Sequence, residues 1–148
     1  MTTATRTGRS TSPAPWPYAV GGTAVSLVLT AYGTFKEDNL PGDLPGWLFI
    51  NVPIIVVATA LVFGLVVPRV LRSEHPETPG RAALVLSLIE LATVVIANFG
   101  FPAVLAAAAV CTATATRRRT GQWTGPAAVA LVLSAISVSL ALVLAIVG

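Results

Sequence analysis

Glu90 is the side chain with the most chemistry to offer. From Ala82 to Thr116 the sequence is apolar or weakly polar, and Glu90 is its one charged residue. An ionised carboxylate in hydrocarbon costs about 3 kcal/mol on insertion scales. The expectation is therefore a carboxyl that faces other helices in its neutral form, or one that borders water. Helical spacing places Ala83, Ser87, Glu90, Val94 and Ala97 on one face, and Ala130, Ser134, Ser137, Ala141 and Ala145 on a matching face further along the chain. Such small or polar stripes suit close helix contact, and Ser87, Ser134 and Ser137 are the expected hydrogen-bond partners of a neutral Glu90. Two roles are open to it: a proton carrier coupled to a substrate, or a hydrogen-bonded group that fixes helix register. A third is contact with a helix of another protein. No Lys, Arg or His in the apolar segments is placed to pair with it.

Other reactive residue types offer less. Cys111, the only cysteine, sits in an apolar stretch, so no internal disulfide or metal site forms around it and a packing role is expected. His75 lies in a polar stretch with Glu74 and Glu77, where a solvated imidazole is expected. Asn51 and Asn98 fall near the outer ends of apolar runs, where capping and loop roles are natural. Arg117, Arg118 and Arg119 follow an apolar run and are expected to fix orientation and attract anionic lipid headgroups, at about 1 kcal/mol each. The sequence has no HExxH, no GxSxG, no phosphate loop and no Cys/His pairing, so neither enzyme activity nor a metal or cofactor is expected.

The elements that position these residues follow from composition. The chain has 148 residues, 55% hydrophobic and 10% charged, against about a quarter charged in ordinary soluble domains. A soluble fold of this size buries only about 60–70% of its unfolded surface, too little to hide so much apolar area. The formal charge of +3 does not indicate nucleic acid, because the basic residues form short clusters between apolar runs rather than one face. Residues 1–15 read as a disordered cytoplasmic tail rich in Thr, Ser and Pro, with no clear signal-peptidase site after them. The segment from 16 to 148 reads as an all-α transmembrane helical bundle. Its first span is expected at 16–35, between Trp16 and Tyr18 at one interface and Tyr32 and Phe35 at the other. An acidic turn with Lys36, Glu37, Asp38 and Asp43 follows, then a second span at 47–70 that carries Pro53 and Pro68.

Residues 82–116 pose the topological question. As one helix they would run about 50 Å, against a hydrocarbon core of about 30 Å. Asn98-Phe99-Gly100-Phe101-Pro102 is a turn signal, so two short spans, 82–98 and 102–116, are expected, followed by a last span at 126–147. Charge favours these five spans over four spans with a long kinked third helix. With the N-terminus inside, Arg6, Arg9, Arg69, Arg72, Arg81 and Arg117 to Arg119 are cytoplasmic and only Lys36 is outside.

Ala83-Leu84-Val85-Leu86-Ser87-Leu88-Ile89 is echoed by Ala130-Leu131-Val132-Leu133-Ser134-Ala135-Ile136. Pro53 and Pro102 each open a run that ends in arginine, at Arg69 and Arg117. Spans two and three thus read as a repeat of four and five, or as coincidence among Ala, Leu and Val helices. With ALVLS at 83–87, GFP at 100–102, RRRTG at 117–121 and ALVLS at 130–134, residues 82–148 resemble small bacterial, actinobacterial-like multi-pass membrane proteins of unknown function. Their pattern has Gly where this chain has Ser. The resemblance implies three passes in this half and no activity. The expected function is that of a non-enzymatic plasma-membrane protein acting through helix packing, with the lipid bilayer and a second copy or a membrane-protein partner as its contacts. The alternative is a small proton-coupled oligomeric transporter using Glu90.

Overall fold

The computed structural model describes residues 14–36, 44–96 and 101–147, and everything described in them is helix or short turn. The elements are α1 (Trp16–Lys36), α2 (Leu44–Leu61), a π-helical turn (Val62–Val66), α3 (Val67–Leu71), α4 (Thr78–Ile96), α5 (Phe101–Thr120) and α6 (Gly125–Val147). α2, the π turn and α3 run on without a break, so the described residues form five rods. Residues 1–13 of the expected tail, 37–43 of the acidic turn and 97–100 lie outside the described residues, and Lys36, expected in that turn, is the last residue of α1.

Proline marks the starts. Each α-helix has one as its second residue: Pro17, Pro45, Pro68, Pro79, Pro102 and Pro126. A first-turn N–H has no intrahelical acceptor, so proline loses nothing there and its fixed φ suits the helix. Pro68 is the exception in context, because helix precedes it. Its ring crowds the carbonyl four residues back and it offers no N–H. The chain responds with the π turn, in which the Val67 N–H reaches the Val62 carbonyl oxygen. At the far end of α5, Gly121 takes φ +78° and its N–H bonds the Arg117 oxygen at 2.9 Å, a left-handed C-terminal stop.

The helices overrun the expected spans by a few residues. α4 begins at Thr78 rather than Ala82, and α5 continues through Arg117 to Arg119 to Thr120. The reason is local: Thr78-Pro79 is a better helix start than Ala82, and arginine is a good helix former that also favours the negative end of the helix dipole. Residues 82–96 and 101–116 belong to two helices packed on each other, not to one rod.

α5 is the central rod. α1, α4, α6 and the α2–α3 rod all pack on it. Val104, Ala108, Ala109, Cys111, Thr112, Ala113 and Thr116 are wholly enclosed. Alanine allows neighbouring backbones to approach closely, and the buried threonines satisfy their hydroxyls on their own helix: Thr112 donates to Ala108 O at 2.9 Å and Thr116 to Thr112 O at 3.2 Å. The tightest approach is to α1. A Cβ at Gly22 would lie 2.7 Å from Ala107 Cβ and 3.2 Å from the Ala103 carbonyl oxygen. Nearby, the hydroxyls of Thr23 and Thr59 meet at 3.0 Å and tie α1 to α2.

Polar side chains share the interior with the apolar cluster, while many large apolar side chains lie on the surface. Ser26, Thr30, Asn51, Ser87, Glu90, Thr112, Thr116, Ser134 and Ser137 are buried. Val28, Phe49, Ile50, Val57, Leu88, Val132, Ile136 and Val143 are among the exposed large apolar side chains. Two helices, Phe49–Leu71 and Gly125–Leu144, are long and apolar enough to cross a membrane by length and composition. α5, enclosed by its neighbours, has no need of an apolar surface.

Candidate functional site

The buried polar residues gather where α4 and α6 lie side by side. Ala83 and Ala130 share one buried cluster with Ala113 and Ala127, which sets the two helices level at their starts. Ser87 and Ser134, then Glu90 and Ser137, follow at the same offset of 47 residues along each helix. Helical side chains lean toward the N-terminus. Glu90 accordingly reaches back a turn, and Ser134 Oγ donates to its Oε2 at 2.7 Å.

Glu90 has no exposed surface, and neither do Ser87 and Ser137. Ser87 does not turn to the carboxyl: its hydroxyl donates to Leu84 O at 2.9 Å. Glu90 Oε1 and Ser137 Oγ have no hydrogen-bond partner in the protein. Of the three serines expected beside Glu90, one bonds it, one serves its own helix, and one lies level with it across the seam. Glu90 stands nine residues past Arg81 on α4, about 13 Å along the axis. Val94 and Ala130 are buried on the expected faces and Ala141 is half-buried; the side chains of Ala97 and Ala145 lie outside the described residues.

Arg117, Arg118 and Arg119 end α5 in three different settings. Arg117 is exposed and stacks over the Trp123 ring at 4.9 Å from its centroid, and Arg118 is also exposed. Arg119 is half-buried and turned inward. Its Nη1 donates to Ser73 O at 2.8 Å and its Nη2 donates to Leu71 O. Those carbonyls follow the end of α3, where helix geometry leaves acceptors without donors, so Arg119 clasps the α3–α4 turn to the end of α5. Charged hydrogen bonds of this kind contribute about 1.5–3 kcal/mol. Arg119→Ala is expected to lower unfolding stability in detergent by about 2 kcal/mol, with Arg119→Lys recovering part. Equal melting of all three proteins would remove the clasp from the account.

Cys111 is enclosed in the main apolar cluster with Ile55, Phe63, Val104 and Ala108. His75 is exposed in the α3–α4 turn, and among the described residues no three His, Cys, Asp or Glu side chains gather to hold a metal. Asn51 is buried in α2 and its Nδ2 has no protein partner. The sequence reading missed the α1 face of Gly22, Ser26 and Thr30, all buried. Its signal was present, small or hydroxyl residues at helical spacing, the same pattern that marked α4 and α6. It missed the Arg119 clasp too, for which no sequence signal exists. Compared with known proteins, the chain matches no protein-family model, and no curated protein or solved structure is significantly similar to it.

Proposed function

We propose that the chain is an integral plasma-membrane protein of five spans that acts through helix packing, with a second copy or another membrane protein as partner, and that it is not an enzyme. The observation that carries this reading is the apolar surface, with Phe49, Ile50, Leu88, Val132 and Ile136 exposed while Glu90, Ser87, Ser134 and Ser137 are kept inside. Lipid accepts that surface; water does not.

The arginines support the orientation. Arg69, Arg72 and Arg81 flank the α3–α4 turn, which Arg119 clasps to the end of α5, so they gather with Arg117 and Arg118 at one end of the bundle. Basic residues favour the cytoplasmic face, and Arg6 and Arg9 in the N-terminal segment favour the same side. Arg117 stacked on Trp123 has the amphipathic character of an interfacial anchor, suited to lipid headgroups. α5 is enclosed, and its small residues let it pack without a wide apolar face, while α4 turns Val85, Leu88 and Ile89 outward. On alkaline carbonate washing of membranes the chain is expected to stay with the lipid. Release into the wash would overturn the reading.

A second reading rests on Glu90 Oε1 and Ser137 Oγ, both buried and both without a protein partner. In it the chain is a small proton-coupled oligomeric transporter with Glu90 as proton carrier. Glu90→Gln would then abolish transport and leave assembly intact, whereas a purely structural Glu90 tolerates Gln in every assay.

A further inference from the structure

We infer that Glu90, Ser134 and Ser137 form a proton-loading site completed by one water molecule, held between Glu90 Oε1 and Ser137 Oγ. The inference rests on the membrane-bundle reading and gives its second form a ligand.

A carboxyl kept only for helix register would have both oxygens bonded inside the protein, because a buried polar group without a partner costs about 1–3 kcal/mol. Here one oxygen is bonded, by Ser134 at 2.7 Å. The other is not, and neither is the Ser137 hydroxyl, three residues along α6 from the Ser134 that bonds the carboxyl. Both are wholly enclosed. Two unmet groups on facing helices match the needs of a buried water, which takes two to four hydrogen bonds. Such a water accepts from the neutral carboxyl and donates to Ser137 Oγ.

The donor set argues against a metal cation. Calcium takes six to eight oxygen ligands and magnesium six. Only Oε1 and the Ser137 hydroxyl are uncommitted here, and α4 and α6 are regular helices at this depth, so their carbonyls serve their own ladders. The charged and titratable surroundings are sparse. α6 carries no titratable side chain. α5 carries Cys111, then Arg117 to Arg119 at its end, and α3 carries Arg69 at the same end. On α4 itself the nearest charge is Arg81. No fixed cation at this depth holds Glu90 ionised.

The test uses the full chain in lipid nanodiscs and dicyclohexylcarbodiimide, an apolar reagent whose C=N bond takes up the O–H of a neutral carboxyl and leaves an adduct of the summed mass. Glu90 is expected to acquire the adduct at acidic and neutral pH and to lose reactivity as pH rises, with no protection by sodium ions; Glu90→Gln serves as the blank. In infrared spectra the Glu90 carboxylic-acid band is expected to shift on transfer to heavy water, and about tenfold more slowly in Ser137→Ala, the factor for one lost hydrogen bond. Labelling that ignores pH, labelling suppressed by sodium, or unchanged exchange in Ser137→Ala would each overturn the site. An unlabelled Glu90 in protein that still resists carbonate extraction overturns the site alone. Failure of both returns the fault to the membrane reading.

Discussion

Gly22→Val detaches α1 from the rest of the bundle. At Gly22 even a single added carbon would meet Ala107 Cβ at 2.7 Å, the Ala103 carbonyl oxygen at 3.2 Å and Val104 Cα at 3.5 Å, and all three are backbone atoms or a β-carbon that no rotamer can move. Valine adds two further methyl groups against the same wall. Overpacking of this kind costs about 1–3 kcal/mol where neighbours yield and more where they do not. α5 cannot yield, because α4, α6 and the α2–α3 rod brace its other sides. A loss of 3 kcal/mol or more is therefore expected, roughly the upper end of that range, read as a collapse in thermal stability in detergent or as proteolysis of α1. The paired change is more incisive. Gly22→Ala alone is expected to cost about 2 kcal/mol. Adding Ala107→Gly removes the closest contact and restores most of it, less the roughly 1 kcal/mol that a helical glycine forfeits. If the double variant is no more stable than Gly22→Ala, the two helices do not meet at this point.

Glu90→Lys carries the second large effect. The carboxyl is enclosed, accepts one hydrogen bond from Ser134 and has no charged neighbour on α6. Lysine would bring an ammonium group into the enclosed seam of α4 and α6, which the proposed bundle sets at mid-depth, with no carboxylate to receive it and about 13 Å of helix between it and the basic end. A cation at the centre of a span costs about 2.5–3.5 kcal/mol on insertion scales, and the exposed ends are too distant for its stem to reach. Glu90→Lys is expected to lower the membrane-inserted yield at least tenfold, since each 1.4 kcal/mol is a factor of ten. Glu90→Leu should cost about 1 kcal/mol through the lost hydrogen bond, and Glu90→Gln least, because its carbonyl still accepts from Ser134. Pulse-labelled insertion and detergent stability of the three variants check the order Gln, Leu, Lys. A fully inserted, stable Lys variant would mean that Glu90 faces water.

The chain shows unevenly what a single sequence makes legible. Helix content and the division of residues 82–116 were readable because Gly100 and Pro102 break an apolar run too long for one span. The faces of α4 and α6 were readable from serine and alanine at helical intervals. What stayed hidden was which helix lies in the middle. α5, the central rod, is built of alanine and threonine, and nothing in that composition ranks it above the more apolar α2 or α6; enclosure is a property of the whole assembly. The proline of the π turn was visible, but its consequence depended on helix preceding it. The pairing of Glu90 with Ser134 rather than Ser87 or Ser137 depended on side-chain lean and on the register between two helices, and the Arg119 clasp joins residues more than forty positions apart. The proposed repeat has a limit for the same reason. α4 and α6 align, but α2–α3 lies on the outside with Phe49 and Val57 exposed, whereas its counterpart α5 is enclosed.

The most direct test of the account is the side of the membrane on which Gly148 lies, read with paired C-terminal reporters, one active only in the cytoplasm and one only outside. The end of α6 is opposite the Arg117 to Arg119 end in the bundle, so a five-span protein with its basic end inside puts the activity wholly on the outer reporter. Activity on the cytoplasmic reporter would contradict both the span number and the orientation, and with them the placement of Glu90 at mid-membrane.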